Sequence, residues 1–293
     1  MIEKLEDYEN FMIAIKGRSD SSVEGYRLDI EKFFEFLFGE QDVTLEQIKT
    51  LTKSDAYRYL AYCTKNGNNA KTRSRKVSSI RSFFLYLENE CGFVNDVHHI
   101  DKPKTEKTLP KYLTLEQTKH LLSTIDNNRD YCIFTFFLNC GLRLSELSNI
   151  KLSDIRDNNT LVVYGKGAKE RTIYLNDSCL EALNDYLAER ESNSEYLFIN
   201  KNGIALTRRG VQEMVKRTLK NAGLGEYSCH KLRHTSATMY YQYCGADVLE
   251  LKEMLGHESI ATTQIYTHVN SDQLRTMVDK SPLNNNNIIT IAS

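Results

Sequence analysis

Residues 160–175, TLVVYGKGAKERTIYL, are the stretch that departs from an otherwise helical pattern. The segments TLVVYG and ERTIYL are rich in β-branched residues, which favour strands, and the turn GKGAK joins them. The stretch therefore predicts a β-hairpin with Lys166 at its tip, between two glycines. A lysine in a turn is ordinarily just solvated, but a mobile hairpin tip can also deliver an ammonium group to a substrate.

Helical patterns lie on both sides of this hairpin. Thr114 and Gln117 form a capping-box pattern, and a helix over 129–140 is expected to end at Gly141. After the hairpin the sequence predicts helices over 177–190, 207–222, 230–244, 247–255 and 271–279. The second part of the chain is therefore expected to be mainly helical with one small β-hairpin.

The first hundred residues are expected to be wholly helical. Ser21 and Glu24 form a capping-box pattern ahead of apolar residues at helical spacing. A longer helix is predicted over 70–90, with an apolar stripe made of Val77, Ile80, Phe84 and Leu87. The fold class is therefore mostly α, with a bundle of four helices at the N-terminus.

A polar, lysine-rich segment separates the two parts. Pro103 and Pro110 interrupt any helix there, so residues 101–113 are expected to be a linker. The predicted domains are residues 1–100 and residues 114–293.

Composition narrows the class of protein. The 293 residues are 41% hydrophobic, enough for a real core. The seven cysteines are odd in number and form no CxxC pair, which argues against a disulfide framework and a thiolate zinc site. The most apolar run, residues 131–140, is too short to span a bilayer, and no signal peptide is recognisable. We expect a cytoplasmic protein with no membrane partner.

Charge is unevenly distributed, although the net charge is only −1. Residues 65–81 contain six basic residues and no acidic one, and residues 201–220 contain six basic residues against Glu213 alone. Either run by itself is usually a solvated face, but two runs in separate halves favour a polyanionic partner. The candidate contacts are Lys71, Arg73, Arg75, Lys76, Arg81, Arg208 and Arg209.

Familiar catalytic motifs are missing from the sequence. It has no GxxxxGK[ST] phosphate loop, no GxSxG elbow and no acidic cluster of the two-metal kind. His230 and His234 have the spacing of a zinc site, but no glutamate follows His230 and no convincing third ligand lies nearby. We therefore expect no metal.

Basic groups stand instead at positions suited to holding an anion. Arg143 begins a predicted helix with Glu146 three residues later, close enough to orient it. Arg233 follows His230 by three residues on another helix. His257 lies on the turn after Gly256, in the block LGHESIATTQIYTHV that also contains Tyr266.

These residues resemble a known family. The blocks GLRLSELSNIKLSDI, GKGAKER, HKLRHTSAT and LGHESIATTQIYTHV are similar in order and spacing to those of the tyrosine recombinases, or phage integrase family. SSVEGYRLDIEKFFEFL and RKVSSIRSFFLYL resemble the family's SAM-like core-binding domain. Length and the block TTQIYTHV are most similar to Xer-type recombinases. Cys229 stands where Xer-type proteins usually carry proline, from which we expect only a local effect.

The resemblance implies a catalytic set that acts on a DNA phosphodiester without metal or other cofactor: Arg143, Lys166, His230, Arg233, His257 and Tyr266. In the family's chemistry Tyr266 would be the nucleophile and would form a 3′-phosphotyrosyl link. His230 would accept its proton and Lys166 would protonate the leaving 5′-oxygen. Glu146 would orient the arginines from behind.

The resemblance also implies partners and a role. Double-stranded DNA would be clamped between the two domains. Four subunits, of one kind or with a paralogous recombinase, would form the synaptic complex. A predicted C-terminal helix with Leu274, Met277 and Val278 would dock onto a neighbouring subunit.

The leading interpretation is Xer-like resolution of chromosome dimers, linked to chromosome partition and cell division. The main alternative is an integrase or transposon recombinase of a mobile element that uses the same chemistry. The sequence favours three other interpretations less: a type IB topoisomerase, a DNA-binding protein without activity and a zinc-binding protein.

Overall fold

A computed structural model of the protein describes residues 2–105, 111–165, 170–257 and 259–263. The chain divides into two compact units, residues 1–108 and residues 109–293. The linker proposed for residues 101–113 stays a prediction, because residues 106–110 lie outside the described part. The helix proposed for residues 271–279 also lies outside it.

The N-terminal unit is a helical bundle. Its helices are α1 (Ile2–Ala14), α2 (Asp20–Phe38), α3 (Leu45–Lys49), α4 (Lys53–Lys65) and α5 (Ala70–Cys91), and a 3₁₀ turn follows at Val97–His99. Four of these helices have 13 residues or more, while α3 has five. The predicted bundle of four helices is confirmed, with α3 as a short addition.

The start of α2 differs from the sequence prediction. The capping box of Ser21 and Glu24 is wrong, because the helix begins at Asp20 with Ser19 as its N-cap residue. Ser19 makes no side-chain capping bond, and its hydroxyl lies 3.0 Å from that of Ser22 instead. Several hydroxyl residues in a row offer alternative caps, so the pattern alone did not fix the first residue of the helix.

One buried carboxylate organises the basic side of this bundle. Asp29 of α2 is 2% exposed and accepts hydrogen bonds from Arg75 at 2.5 Å, Ser79 at 2.8 Å and Lys76 at 3.3 Å. The Lys76 side chain is itself only 8% exposed, and its ammonium also donates to Tyr59. Lys76 is therefore not a surface cation, and its role as a contact to a polyanion stays a prediction.

The C-terminal unit combines helices with a small sheet. In chain order its elements are α6 (Leu115–Ser123), α7 (Asn128–Cys140), α8 (Leu144–Ser148), β1 (Ile155–Arg156), β2 (Thr160–Tyr164), β3 (Glu170–Tyr174), α9 (Asp177–Glu189), α10 (Arg208–Asn221), α11 (Cys229–Tyr243) and α12 (Val248–Leu255). Short 3₁₀ turns lie at Leu152–Asp154 and Ile260–Thr262.

The sheet contains the predicted hairpin. Strands β2 and β3 pair antiparallel from Thr160 opposite Tyr174 to Tyr164 opposite Glu170. The two-residue strand β1, which the sequence did not predict, pairs with the other edge of β2 and gives the order β1-β2-β3. The mostly helical fold with a small antiparallel sheet is confirmed.

The ends of several helices fix the backbone conformation close to the candidate active site described below. The Thr114 capping box is confirmed, since Thr114 N donates to Gln117 Oε1 at 2.9 Å and Gln117 N donates to Thr114 Oγ1 at 3.2 Å. Gly141 and Gly256 end α7 and α12 with left-handed φ values of 58° and 61°. Glycine adopts this conformation without steric cost, so both helices stop where the sequence predicted.

Helix α7 forms the centre of the second core. Most of its residues are buried, with Phe134, Phe136 and Phe137 fully so. All seven cysteines are free thiols and five of them are buried, as expected of small core residues. Across the described residues, no helix is both long and apolar enough to cross a membrane.

Candidate active site

Arg143 is placed by the turn between α7 and α8. It is the N-cap residue of α8, directly after the turn that Gly141 opens. Its backbone N donates to Glu146 Oε2 at 2.8 Å and its Nη1 donates to Oε1 at 2.7 Å. The glutamate three residues into the helix therefore fixes both the backbone and the side chain of Arg143, while 36% of that side chain remains exposed.

Glu146 is shared by two further arginines. Its side chain is 1% exposed, and Arg171 of β3 donates through Nη1 and Nη2 to its two oxygens, each at 2.9 Å. Arg233 of α11 brings its Nη1 to 3.6 Å from Oε2. One buried carboxylate is thus bound by cations from three separate elements, which satisfies a charge that would otherwise be costly to bury.

The same arginines bind the end of α12. They donate to the successive carbonyl oxygens of residues 254–256: Arg171 Nε to the first at 2.9 Å, Arg233 Nη2 to the second at 2.5 Å and Arg143 Nη2 to the third at 2.9 Å. The last carbonyls of a helix lack partners within the helix and carry partial negative charge. The end of α12 therefore acts with Glu146 to hold the guanidinium groups.

The charge state of Glu146 follows from this surrounding. Burial alone would raise the pKa of its carboxyl group, but the hydrogen bonds and charge of Arg171, with the bonds from Arg143, lower that pKa to about 2. Glu146 is therefore ionised at neutral and mildly acidic pH. It offsets part of the positive charge of the arginines and keeps them oriented.

His257 lies next to this cluster, two residues after the last residue of α12. It is half-buried, and its Nδ1 lies 2.9 Å from the hydroxyl of Thr263. Burial, followed by the positive charges of Arg233 and Arg143, lowers the pKa of His257 to about 4. The ring is therefore neutral at pH 7 and carries one N–H donor.

The two histidines of α11 pack against each other. The rings of His230 and His234 are 4.3 Å apart between centroids and inclined at 72°. Burial, then His230 and Arg233, lowers the pKa of His234 to about 4. Within the described ranges, no group of three or more His, Cys, Asp or Glu residues is suited to hold a metal ion.

An open cleft of about 1720 Å³ brings the predicted residues together. Arg143, His230, Arg233 and His257 all line it. Gly165 and Glu170, which flank the hairpin tip, line it as well. Lys166 and Tyr266 themselves lie outside the described residues, so their positions and roles stay predictions.

The candidate contacts for a polyanion differ in their surroundings. Arg208, at the first residue of α10, is exposed and lines the cleft, and Arg209 beside it is exposed. In the N-terminal unit Lys71 and Arg81 are exposed. Arg73 is half-buried, with Nη1 donating to the carbonyl of Asn68 at 2.8 Å.

Arg75 combines exposure with a structural bond. Half of its side chain is exposed, yet Nη1 is held by the buried carboxylate of Asp29. Its role as an external contact stays a prediction.

Comparison with known families decides the identity of the chain. The model of the phage integrase family matches residues 111–273, and that of the phage integrase N-terminal SAM-like domain matches residues 5–90. The chain belongs to the phage integrase family. This recombinase is 42% identical to the tyrosine recombinase XerC of Caldanaerobacter subterraneus subsp. tengcongensis, over 95% of its own length and 86% of that protein. It is 32% identical to the tyrosine recombinase XerD of Listeria innocua, over 94% and 97%.

Solved structures agree with this assignment. The XerH site-specific recombinase bound to its difH substrate before cleavage is 25% identical, with a TM-score of 0.71 over 94% of this chain and 84% of that one. The Tn1549 transposon integrase in complex with transposon right end DNA, at 20% identity, shares the fold, with a TM-score of 0.72 over 94% and 99%. The predicted resemblance to Xer-type tyrosine recombinases is confirmed, and the chain is a tyrosine-type site-specific recombinase.

The sequence prediction missed Arg171 in this recombinase. Strand β3 alternates, so Arg171 shares a face with Ile173, which is buried. An arginine on the inward face of a strand needs a buried anionic partner, and that signal was available in ERTIYL. The partner, Glu146, lies 25 residues earlier in the chain and was not evident from the pattern.

Proposed function

We propose that this recombinase cuts and rejoins DNA strands through a covalent 3′-phosphotyrosyl intermediate. The observation that carries the proposal is the convergence of Arg143, Arg233, His230 and His257 on one cleft. Glu146 and the end of α12 hold the two arginines from behind. Such a surface is cationic and fixed before any substrate arrives.

The arginines suit a phosphodiester in its transition state. Negative charge then gathers on the two non-bridging oxygens, and a guanidinium group offers forked donors to such oxygens. The neutral ring of His257 adds a further donor. Because these groups are held in place by the protein, little reorganisation is needed during the reaction, and the loss of one such donor costs about 10²–10³ in rate.

Covalent chemistry is assigned to Tyr266. Its phenolic oxygen attacks phosphorus, the bond to the 5′-oxygen breaks, and a 3′-phosphotyrosine and a 5′-hydroxyl result. A free tyrosine has a pKa of about 10, so His230 is proposed to take the phenolic proton. Lys166 is proposed to give a proton to the leaving oxygen. Attack by the 5′-hydroxyl of another duplex reverses the step and seals a recombined strand without ATP.

The proposed partner is double-stranded DNA, bound by four subunits in a synaptic complex. The XerH structure contains its DNA substrate, which supports this choice of partner. The similarity to XerC and XerD supports a role in the resolution of chromosome dimers, with or without a paralogous recombinase. The fold of the transposon integrase fits the alternative, a mobile-element recombinase with the same chemistry.

A suicide substrate tests the chemistry. The protein first selects binding sites from a pool of random-sequence duplexes, and those duplexes are then prepared with a nick beside the cleavage position. The released fragment diffuses away, so a covalent protein–DNA adduct accumulates and is seen on a denaturing gel. We expect an adduct with the wild-type protein and none with Tyr266→Phe.

Two controls sharpen the result. Tyr243→Phe alters an exposed tyrosine on α11 and should leave adduct formation unchanged. A chelator should also have no effect. Loss of activity on chelation would instead favour a metal-dependent reaction. The proposal fails if the wild-type protein forms no adduct on any selected duplex, or if Tyr266→Phe still forms one.

A further inference from the structure

Arg171 is held by the protein through all three of its side-chain nitrogen atoms. Each of its three side-chain nitrogen atoms donates to a protein oxygen, two to Glu146 and one to the carbonyl of Met254. Its side chain is 11% exposed, compared with 36% for Arg143. Arg171 lines the cleft, but the fork formed by its Nη1 and Nη2 is occupied by the two carboxylate oxygens of Glu146 and is not turned to a substrate.

The position of Arg171 links three elements of the site. It belongs to β3, it binds Glu146 on α8, and it binds the last turn of α12. Gly256, which follows α12, approaches so closely that an added Cβ would lie 3.1 Å from Arg171 Nη1 and 3.2 Å from its Cδ. The guanidinium thus packs against the turn that leads to His257.

We propose that Arg171 is a positioning residue for the phosphate-binding arginines. It fixes the carboxylate of Glu146 against the end of α12, so that Glu146 holds Arg143 and stays next to Arg233. The inference rests on the proposed function, because it assigns Arg171 to the same cleft and the same reaction. Lysine is not expected to replace it, since one ammonium group does not bind both carboxylate oxygens and a helix carbonyl in a fixed geometry.

The groups that face Glu146 determine how a loss of Arg171 would change its pKa. They are Arg143 from the start of α8, Arg171 from β3 and Arg233 from α11, all cationic. Arg171 contributes the strongest of the interactions that lower the pKa of Glu146. Its removal should therefore raise that pKa, so that Glu146 becomes protonated and releases Arg143 at a higher pH than in the wild-type protein.

The test compares Arg171→Gln and Arg171→Lys with a matched control. Arg129 is also an arginine of the C-terminal unit that binds a buried carboxylate, Asp130, and a carbonyl, that of Ile199, but it does not line the cleft. For each variant, the fraction folded, the affinity for a selected duplex and the single-turnover rate of adduct formation are measured from mildly acidic to neutral pH.

We expect Arg171→Gln to form the adduct up to about 10²-fold more slowly, because small misplacements of catalytic groups have effects of this size. DNA affinity should change little, and the acid limb of the rate profile should move to higher pH. Arg171→Lys, which keeps the charge, should recover part of the rate and bring the limb back toward the wild-type position. Arg129→Gln should lose stability but keep the wild-type rate and limb.

Several outcomes would overturn the inference while leaving the proposed function intact. One is a wild-type rate and acid limb in both Arg171 variants. Another is a rate that falls only in proportion to the unfolded fraction, as the Arg129→Gln control would show. If Arg171→Gln does not fold, Arg171→Lys decides, and a wild-type rate and limb in that variant contradict the inference. A wild-type protein that forms no adduct would instead overturn the proposed function, and the inference with it.

Discussion

At the scale of single residues, Glu146 joins stability to the geometry of the site. Its folded-state pKa of about 2 lies below the ordinary value of 4.5. A carboxylate with a lowered pKa contributes stability that is fully present above pH 4.5 and is lost as the pH falls toward 2. Acid should therefore loosen the arginine cluster as it protonates Glu146.

The variant Glu146→Gln tests this link between the charge of Glu146 and stability. We expect the free energy of unfolding at neutral pH to fall by about 3 kcal/mol, because the buried arginines lose their counter-charge. The decline in stability between pH 4.5 and 2 should flatten in the variant. Urea unfolding at a series of pH values measures both effects, and an unchanged acid slope in Glu146→Gln would contradict the assignment.

The histidines predict a second pH dependence, in a different window. The pKa values of His234 and His257 are lowered from 6.5 to about 4. Since the unfolded chain binds protons more readily there, stability is complete above pH 6.5 and declines as the pH falls toward 4. We expect His257→Gln to weaken this decline, as measured by thermal unfolding across that range. A steeper decline in the variant would show that the sign is wrong.

The sequence predicted the site residues that belong to a motif. It did not predict side-chain contacts between residues that are distant along the chain. The resemblance supplied Arg143, His230, Arg233 and His257, and the structure places all four on one cleft. The burial of Lys76 was not predictable, because its partner Asp29 lies 47 residues earlier, on another helix. A basic run says nothing about which of its members face a buried carboxylate.

At the scale of elements, the end of α12 is the part of the fold on which the arginines converge. Two features require glycine at position 256: the left-handed backbone conformation and the close approach of the Arg171 side chain. Gly245 has a similar φ of 71°, but no atom lies within 4 Å of an added Cβ. Comparing the same substitution at the two glycines therefore separates its backbone cost from its effect on the site.

We expect Gly256→Ala and Gly245→Ala each to lower the free energy of unfolding by about 1 kcal/mol, the backbone cost of alanine in a left-handed conformation. Gly256→Ala should in addition slow adduct formation, since its methyl group displaces Arg171. Urea unfolding and single-turnover cleavage of a selected duplex measure the two effects. Equal cleavage rates in the two variants would argue against a role for this contact.

Helix and strand bounds were predictable to within a residue or two where periodicity was long. The helices expected over 129–140 and 177–190 are observed at Asn128–Cys140 and Asp177–Glu189. The hairpin pattern was equally clear. The short strand β1 was missed, because two residues carry no period and their pairing with β2 is decided by tertiary contact.

At the scale of the whole molecule, the site is assembled from distant parts of the chain. Arg143 binds the carbonyl of Gly256 across 113 residues, and Arg233 binds that of Gly141 across 92. Spacing along the sequence gave the order of these residues but no distances. The burial of Arg233 at 2% and the 11% exposure of the Arg171 side chain in the cleft follow from packing, which no local pattern contains.

The cleft also predicts how DNA affinity responds to salt. Arg208 and Arg209 are exposed at the start of α10, and Arg208 lines the cleft. If they contact phosphates, each substitution by glutamine should weaken binding about equally for all sequences and reduce the slope of log K against log salt by about 1. Titrations of a selected duplex by fluorescence anisotropy at several salt concentrations measure that slope.

Lys151 is the matched control for this measurement. Its side chain is 40% exposed, it pairs with Glu195 at 3.1 Å, and it does not line the cleft. Lys151→Gln should therefore leave the slope unchanged, although it removes the same charge. An equal fall in the slope for Lys151→Gln and Arg208→Gln would mean that salt acts through net charge, and the phosphate contacts proposed for α10 would then be wrong.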